Sequence, residues 1–218
     1  DAAVALARQP DVILTTFGDM MRVPGSESSL QEEAAAGRRV RVVYSPLDAL
    51  RLADNEKGAL VVFFGVGFET TTPTVAAAVR QARRRGVDNF VVYSAHKLFP
   101  PAMEALLEAG EIEIHGFICP GHVSTIIGSA PYAFIPKRYG RACVITGFEP
   151  LDILQGVLML VEQCERGEAA VEIQYTRAVR PDGNPVARQA IFEVFEPVDG
   201  TWRGLGVISG SGLAVRAE

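Results

Sequence analysis

The chain has 218 residues, with 21 lysines and arginines against 26 aspartates and glutamates, a formal net charge of −5, and 48% hydrophobic residues. That content supports a packed core in one large or two small domains, and a net negative charge without a clustered basic face excludes nucleic acid as the main partner. No stretch of about 18 uninterrupted apolar residues marks a membrane span, and three scattered cysteines are too few for a four-thiolate site and favour a reducing compartment, the cytoplasm.

The opening DAAVALARQP lacks the basic start and long apolar run of a signal peptide. Apolar runs of strand length then alternate with helical patterns. In chain order the reading gives strands at 12–15 and 40–44, a helix at 47–53, a strand at 60–64, a helix at 74–85 and a strand at 90–93. A helix at 101–109, strands at 116–119 and 142–146 and a helix at 152–164 follow. The strands are rich in β-branched and aromatic residues and apolar on both faces, as in sheets covered on both sides. Gly86 and Gly110 stand where a left-handed helix cap suits glycine. The alternation predicts an α/β fold of βαβ units with mainly parallel sheets.

From residue 168 the pattern changes. Residues 168–180 read as extended and 180–185 as a turn, with Asn184 and Pro185 capping and starting a helix through Val194. The glycine-punctuated stretch 202–215 lacks the spacing of a dinucleotide loop and reads as a buried turn.

Two segments repeat each other. VILTTFGDMMRVPGS and VRVVYSPLDALRLA in the first correspond to FICPGHVSTIIGS and ACVITGFEPLDILQG in the second. Gly18 to Gly25–Ser26 has the spacing of Gly121 to Gly128–Ser129, and Pro46–Leu47–Asp48 matches Pro150–Leu151–Asp152 with one residue of drift. Matches in register at both sites argue for two copies of one α/β unit. The second copy is preceded by two strand–helix units and the first by none, so the first domain is expected to be incomplete. The expected division is 1–56 for the later half of the first domain, 57–167 for the second domain, and 168–218 for a C-terminal extension.

Parallel α/β sheets bind ligands beyond the carboxyl ends of their strands. The loops there carry the candidate partner-binding residues Glu69, Thr70, Thr71, Thr72, His96, Lys97, His122 and Ser124. In GVGFETTTP the glycines allow a tight turn and Thr72 is placed to cap a helix starting at Pro73, but the lysine of a phosphate loop is missing. His96, Lys97 and His122 can serve acid–base work, metal ligation or partner binding; a hydrogen-bonded structural role is the plainer alternative. Cys119 and His122 have ligand-like spacing but make only half a site, and Cys119, Cys143 and Cys164 read as core thiols. Asp48 and Asp152 read as first-turn acids and His115 as a strand-edge surface residue.

The strings PDVILTTFGDMMRVPGS, GFETTTP, SAHKL, PGHVS, GFEPLDILQG, QYTRAV and WRGLG together resemble the HypD family of [NiFe]-hydrogenase maturation factors over essentially the whole chain. The resemblance implies two related α/β domains facing across a cleft, an iron–sulfur domain, and a scaffold working with HypC and HypE to assemble the Fe(CN)2CO unit. Iron with cyanide and carbonyl ligands and a [4Fe–4S] cluster are implied for the full-length family. The family's CGxH and GPxCPxC motifs and its C-terminal cysteine cluster do not occur in these residues, so no catalytic residue, metal ligand or cofactor is expected in them. Ser209 stands where the family has proline in IPGSGL. Two other classes remain in view: a cleft enzyme using His96, His122 and Glu69 on a small anionic substrate, and a module that binds another protein's tail.

Overall fold

The structure is a computed structural model that describes residues 1–110 and 113–217. In chain order it runs α1 (Ala2–Ala7), β1 (Val12–Thr16), a 3-10 helix (Gly18–Arg22), α2 (Leu30–Ala35), β2 (Val40–Val42), α3 (Pro46–Asn55), β3 (Leu60–Gly67), α4 (Thr72–Arg85) and β4 (Phe90–His96). It continues with α5 (Phe99–Glu108), β5 (Gly116–Pro120), α6 (Gly121–Ile127), a 3-10 turn (Ala130–Tyr132), α7 (Phe134–Tyr139), β6 (Ala142–Thr146) and α8 (Pro150–Arg166). The last elements are β7 (Val171–Ile173), α9 (Pro185–Val194), β8 (Phe195–Trp202) and β9 (Gly206–Val215).

Two parallel sheets form, in the orders β2-β1-β3-β4 and β5-β6-β7. The α/β expectation therefore holds. The strands read from the sequence are all present, and Asn184 caps α9 by accepting from the Ala187 amide at 3.0 Å. The matched segments each contain a parallel neighbour pair of strands, with Leu14 beside Val40 in one and Gly116 beside Ala142 in the other.

Where the sheets divide the chain differs from the sequence reading. β3 and β4 pair in the first sheet with β1, not with β5 and β6, so the first copy has strands on both sides of β1. Among the described residues, the side of β5 away from β6 has no strand. Strands separated by one crossover helix pair wherever the helix can return to the sheet, and the spacing in sequence does not choose the side.

The C-terminal stretch also departs from expectation. Residues 202–215 are not a buried turn: β8 and β9 make an antiparallel hairpin. Within 168–180 only Val171–Ile173 is strand. α9 and the hairpin close the first sheet's core, where Ile191, Val194, Phe195 and Leu213 pack with Phe63 and Val75. The second core gathers Cys119, Cys143, Tyr132 and Ile135. Cys164 is a further correction, being exposed on α8 rather than in the core.

Candidate functional site

The sites grow out of the carboxyl ends of β3, β4 and β5. Gly65 leaves room for the His96 ring from the neighbouring strand, since a Cβ there would stand 2.5 Å from His96 Cε1. Gly67 holds φ at 135°, a conformation open to glycine, and turns the chain into the Phe68–Thr72 loop.

His96 is buried beside the Phe195 ring. Its Nδ1 lies 3.0 Å from Ser94 Oγ, and Ser94 donates its own proton to the Leu213 carbonyl at 2.6 Å. The serine hydroxyl has one hydrogen, so Nδ1 must carry the proton it donates to Oγ. Nε2 is then a bare acceptor, buried and without a partner among the described residues. Burial pushes the His96 pKa down to about 4, and the ring is neutral at pH 7. Lys97 is half-buried, its backbone amide donates to the Gly67 carbonyl at 2.9 Å, and burial lowers its pKa.

Glu69 is buried and works as a cap from a distance. Its Oε1 accepts the Phe99 amide at 3.0 Å, at the start of α5, and Oε2 has no partner among the described residues. Burial raises its pKa. Thr72 does not cap α4, in contrast to the sequence reading: both Thr71 and Thr72 donate to the Phe68 carbonyl, at 3.2 and 2.9 Å. A threonine hydroxyl can turn back to a carbonyl of the preceding turn instead of accepting from a helix amide, and Thr72 does so here. Thr70 is exposed.

Aromatic contacts join the two strand ends. Phe68 meets Phe99 edge-on at 6.0 Å, Phe99 meets Tyr132 at 6.5 Å, and the Tyr132 hydroxyl lies 3.0 Å from Ser124 Oγ. Ser124 donates to the Pro120 carbonyl at 2.8 Å, so tyrosine is the donor in that pair. The path links Glu69, which accepts the Phe99 amide at the start of α5, with Ser124, both of them buried. His122 stands apart on the surface, its ring 4.2 Å from that of the exposed Phe148.

Sequence reasoning treated Asp152 as a first-turn acid, and it does complete a reciprocal cap at the start of α8. It missed the partner. Arg177 grips Asp152 with two bonds of 2.8 and 2.6 Å, and Gln174 adds a third at 3.0 Å. Those bonds, led by Arg177, hold the Asp152 pKa down at about 2. The arginine also covers the Tyr175 ring at 4.6 Å. The QYTRAV string carried the signal, but no spacing rule ties residue 177 to residue 152.

The HypD model, described as the hydrogenase formation hypA family, matches residues 1–218. The chain belongs to the HypD family. It is 51% identical over 218 residues to the hydrogenase maturation factor HypD of Rhodobacter capsulatus, covering all of this chain and 58% of that protein. The HypD of Escherichia coli K12 is 50% identical over 214 residues, covering 98% of this chain and 57% of that protein, and the HypD of Azotobacter vinelandii is 50% identical over 223, covering 99% and 59%. This member thus spans somewhat over half the length of the curated relatives it matches.

The residues present do not fit the iron groups implied for the family. Cys119 and Cys143 are buried free thiols, with the Cys119 pKa raised by hydrogen bonding with Cys143 and by burial, and Cys164 is exposed elsewhere. Among the described residues no group of three or more His, Cys, Asp or Glu side chains is placed to hold a metal. Among them, too, no helix is long and apolar enough to cross a membrane.

Proposed function

We propose that these residues form the α/β part of a hydrogenase maturation scaffold, working in the cytoplasm with HypC and HypE on the Fe(CN)2CO unit of [NiFe]-hydrogenase. The observation that carries this reading is the family match along all 218 residues, at 51% identity to a named maturation factor. Low-spin iron with cyanide and carbonyl ligands calls for a soft thiolate anchor and for hydrogen-bond donors around the cyanide nitrogens. The iron unit is cargo in this reading, and its thiolate comes from outside these residues.

The strand ends supply the donors and a docking edge. Of the residues singled out in the sequence, Thr70, Lys97 and His122 retain exposure, with Phe68 and Phe148 beside them as apolar contacts. Glu69, Thr72, His96 and Ser124 are buried and act by holding that edge in place. Sealing both Glu69 and His96 from solvent leaves the stand-alone acid–base enzyme without an accessible pair.

The test is a graft. The 218-residue chain replaces the matching stretch of the Escherichia coli relative in a strain lacking its own HypD, and hydrogenase activity is measured. Restored activity, reduced by Lys97→Ala together with His122→Ala, is the expected result. A soluble graft with native-like circular dichroism and no hydrogenase activity would overturn the proposal. The isolated chain, purified without oxygen, should carry far less than one iron per molecule; a full equivalent with cyanide bands in the infrared would contradict the assignment of the thiolate elsewhere.

A further inference from the structure

The two copies of the repeated unit differ in what lies beside them. Both begin a helix with Pro-Leu-Asp after a strand, in α3 and in α8. In α3, Leu50 and Ala53 are both 0% exposed, because α3 rests on β3 and against α4. The residues of α8 in the same register are Leu154 and Val157, which are 67% and 43% exposed. α8 instead lies on β6 through Asp152 and Gly156, on the opposite side of the helix, since positions two apart on a helix point roughly 200° from each other. Gly156 permits the close approach: a Cβ there would collide with the Thr146 methyl.

The sheet beneath is open on the same side. β1 has β2 on one side and β3 on the other, whereas among the described residues β5 pairs with β6 alone. An edge strand presents unpaired backbone groups that can accept another strand. Ile118 of β5 is exposed there, and a groove of about 400 Å³ runs between β5 and α8, lined by Gly116, Val157, Leu160 and Val161. Leu151 and Leu158 extend the apolar face along α8.

We propose that this edge seats a strand–helix unit equivalent to β3–α4, the strand pairing parallel to β5 and the helix covering Leu154, Val157 and Leu158. We assign the unit to the same polypeptide, in the part of the longer HypD proteins outside the match. That part is about two fifths of the Rhodobacter capsulatus relative, ample for a strand–helix–strand segment such as β3–α4–β4. The repeat specifies the occupant: where the first copy holds its strand and helix, the second copy presents the same register uncovered.

The test places a thiol at Leu154→Cys in a Cys164→Ser background, in the isolated chain and in the graft within the full-length Escherichia coli relative. Maleimide labelling is expected to be about tenfold or more slower in the graft, and the isolated chain to run as a monomer by light scattering. Equal labelling rates in the two would overturn the proposal. So would slow labelling of the isolated chain in a dimer, which would make a second copy the occupant. If the graft does not fold, hydroxyl-radical oxidation of the aligned helix in the unmodified Rhodobacter capsulatus protein replaces it, with protection expected and oxidation as extensive as in the isolated chain contradicting the proposal. Neither readout depends on hydrogenase activity.

Discussion

α3 and α8 start from one motif and end in different surroundings. α3 is finished: Ser45 caps it by accepting from the Leu47 amide at 3.2 Å, and its apolar side is buried against β3 and α4. α8 is anchored at its start by Asp152 and Arg177 yet leaves a row of leucines and valines in solvent. A repeated sequence thus dictates the same local element twice, and the neighbour decides which face becomes core. Amphipathic pattern alone does not say which apolar face will be covered.

The largest expected effect breaks the finished side. Leu50→Ala should cost about 3 kcal/mol of unfolding free energy, read by urea denaturation, because it opens a cavity in a closed core. An effect of comparable size ties the hairpin to the first sheet. His96 is held neutral, with its pKa at about 4 instead of 6.5, so the unfolded chain binds the extra proton between those values. Stability is complete above pH 6.5 and falls as pH drops towards 4, by about 3 kcal/mol over the whole window. His96→Gln should flatten that limb of the stability curve, whatever it does at pH 7.

The paired acids make a middle case. Asp152 is buried and gripped by Arg177, whereas Asp48 makes an exposed contact with Arg51 at 3.0 Å. Asp152→Asn should lower the melting temperature well beyond Asp48→Asn, whose effect stays within about 0.5 kcal/mol. Because the Asp152 pKa is depressed to about 2 from 3.8, its contribution is present above pH 3.8 and lost as pH falls through 2. The variant should lack that acid limb. Ser45→Ala follows, at about 1 kcal/mol for a lost cap. The smallest effect is Leu154→Ala, within about 0.5 kcal/mol in this chain despite the residue matching Leu50 in register. A cost near that of Leu50→Ala would mean that Leu154 is already covered.

Much of this was readable from residues. Period and composition placed the strands, since Val12–Thr16 or Ala142–Thr146 are apolar in both directions and short. Asn184–Pro185 announced α9 through cap chemistry that acts over three residues. The choice of sheet was not readable, because pairing β3 to β1 depends on where a crossover helix packs. Nor was the fate of the loop residues: Glu69 caps a helix thirty residues away and His96 fits over a glycine on another strand, both contacts that only the fold creates. The hairpin is hard to read from the residues because glycines at 206, 210 and 212 obscure the alternation of β9.

Among the described residues β5 is an edge strand, and the proposed unit would make it an inner strand in the longer relatives. Hydrogen exchange of the amides in 116–120, measured in this chain and at the matching segment of full-length Rhodobacter capsulatus HypD, tests it most directly. Exchange about 100-fold slower is expected in the longer protein, with β1 amides changing far less. Equal exchange at β5 in both proteins would contradict it.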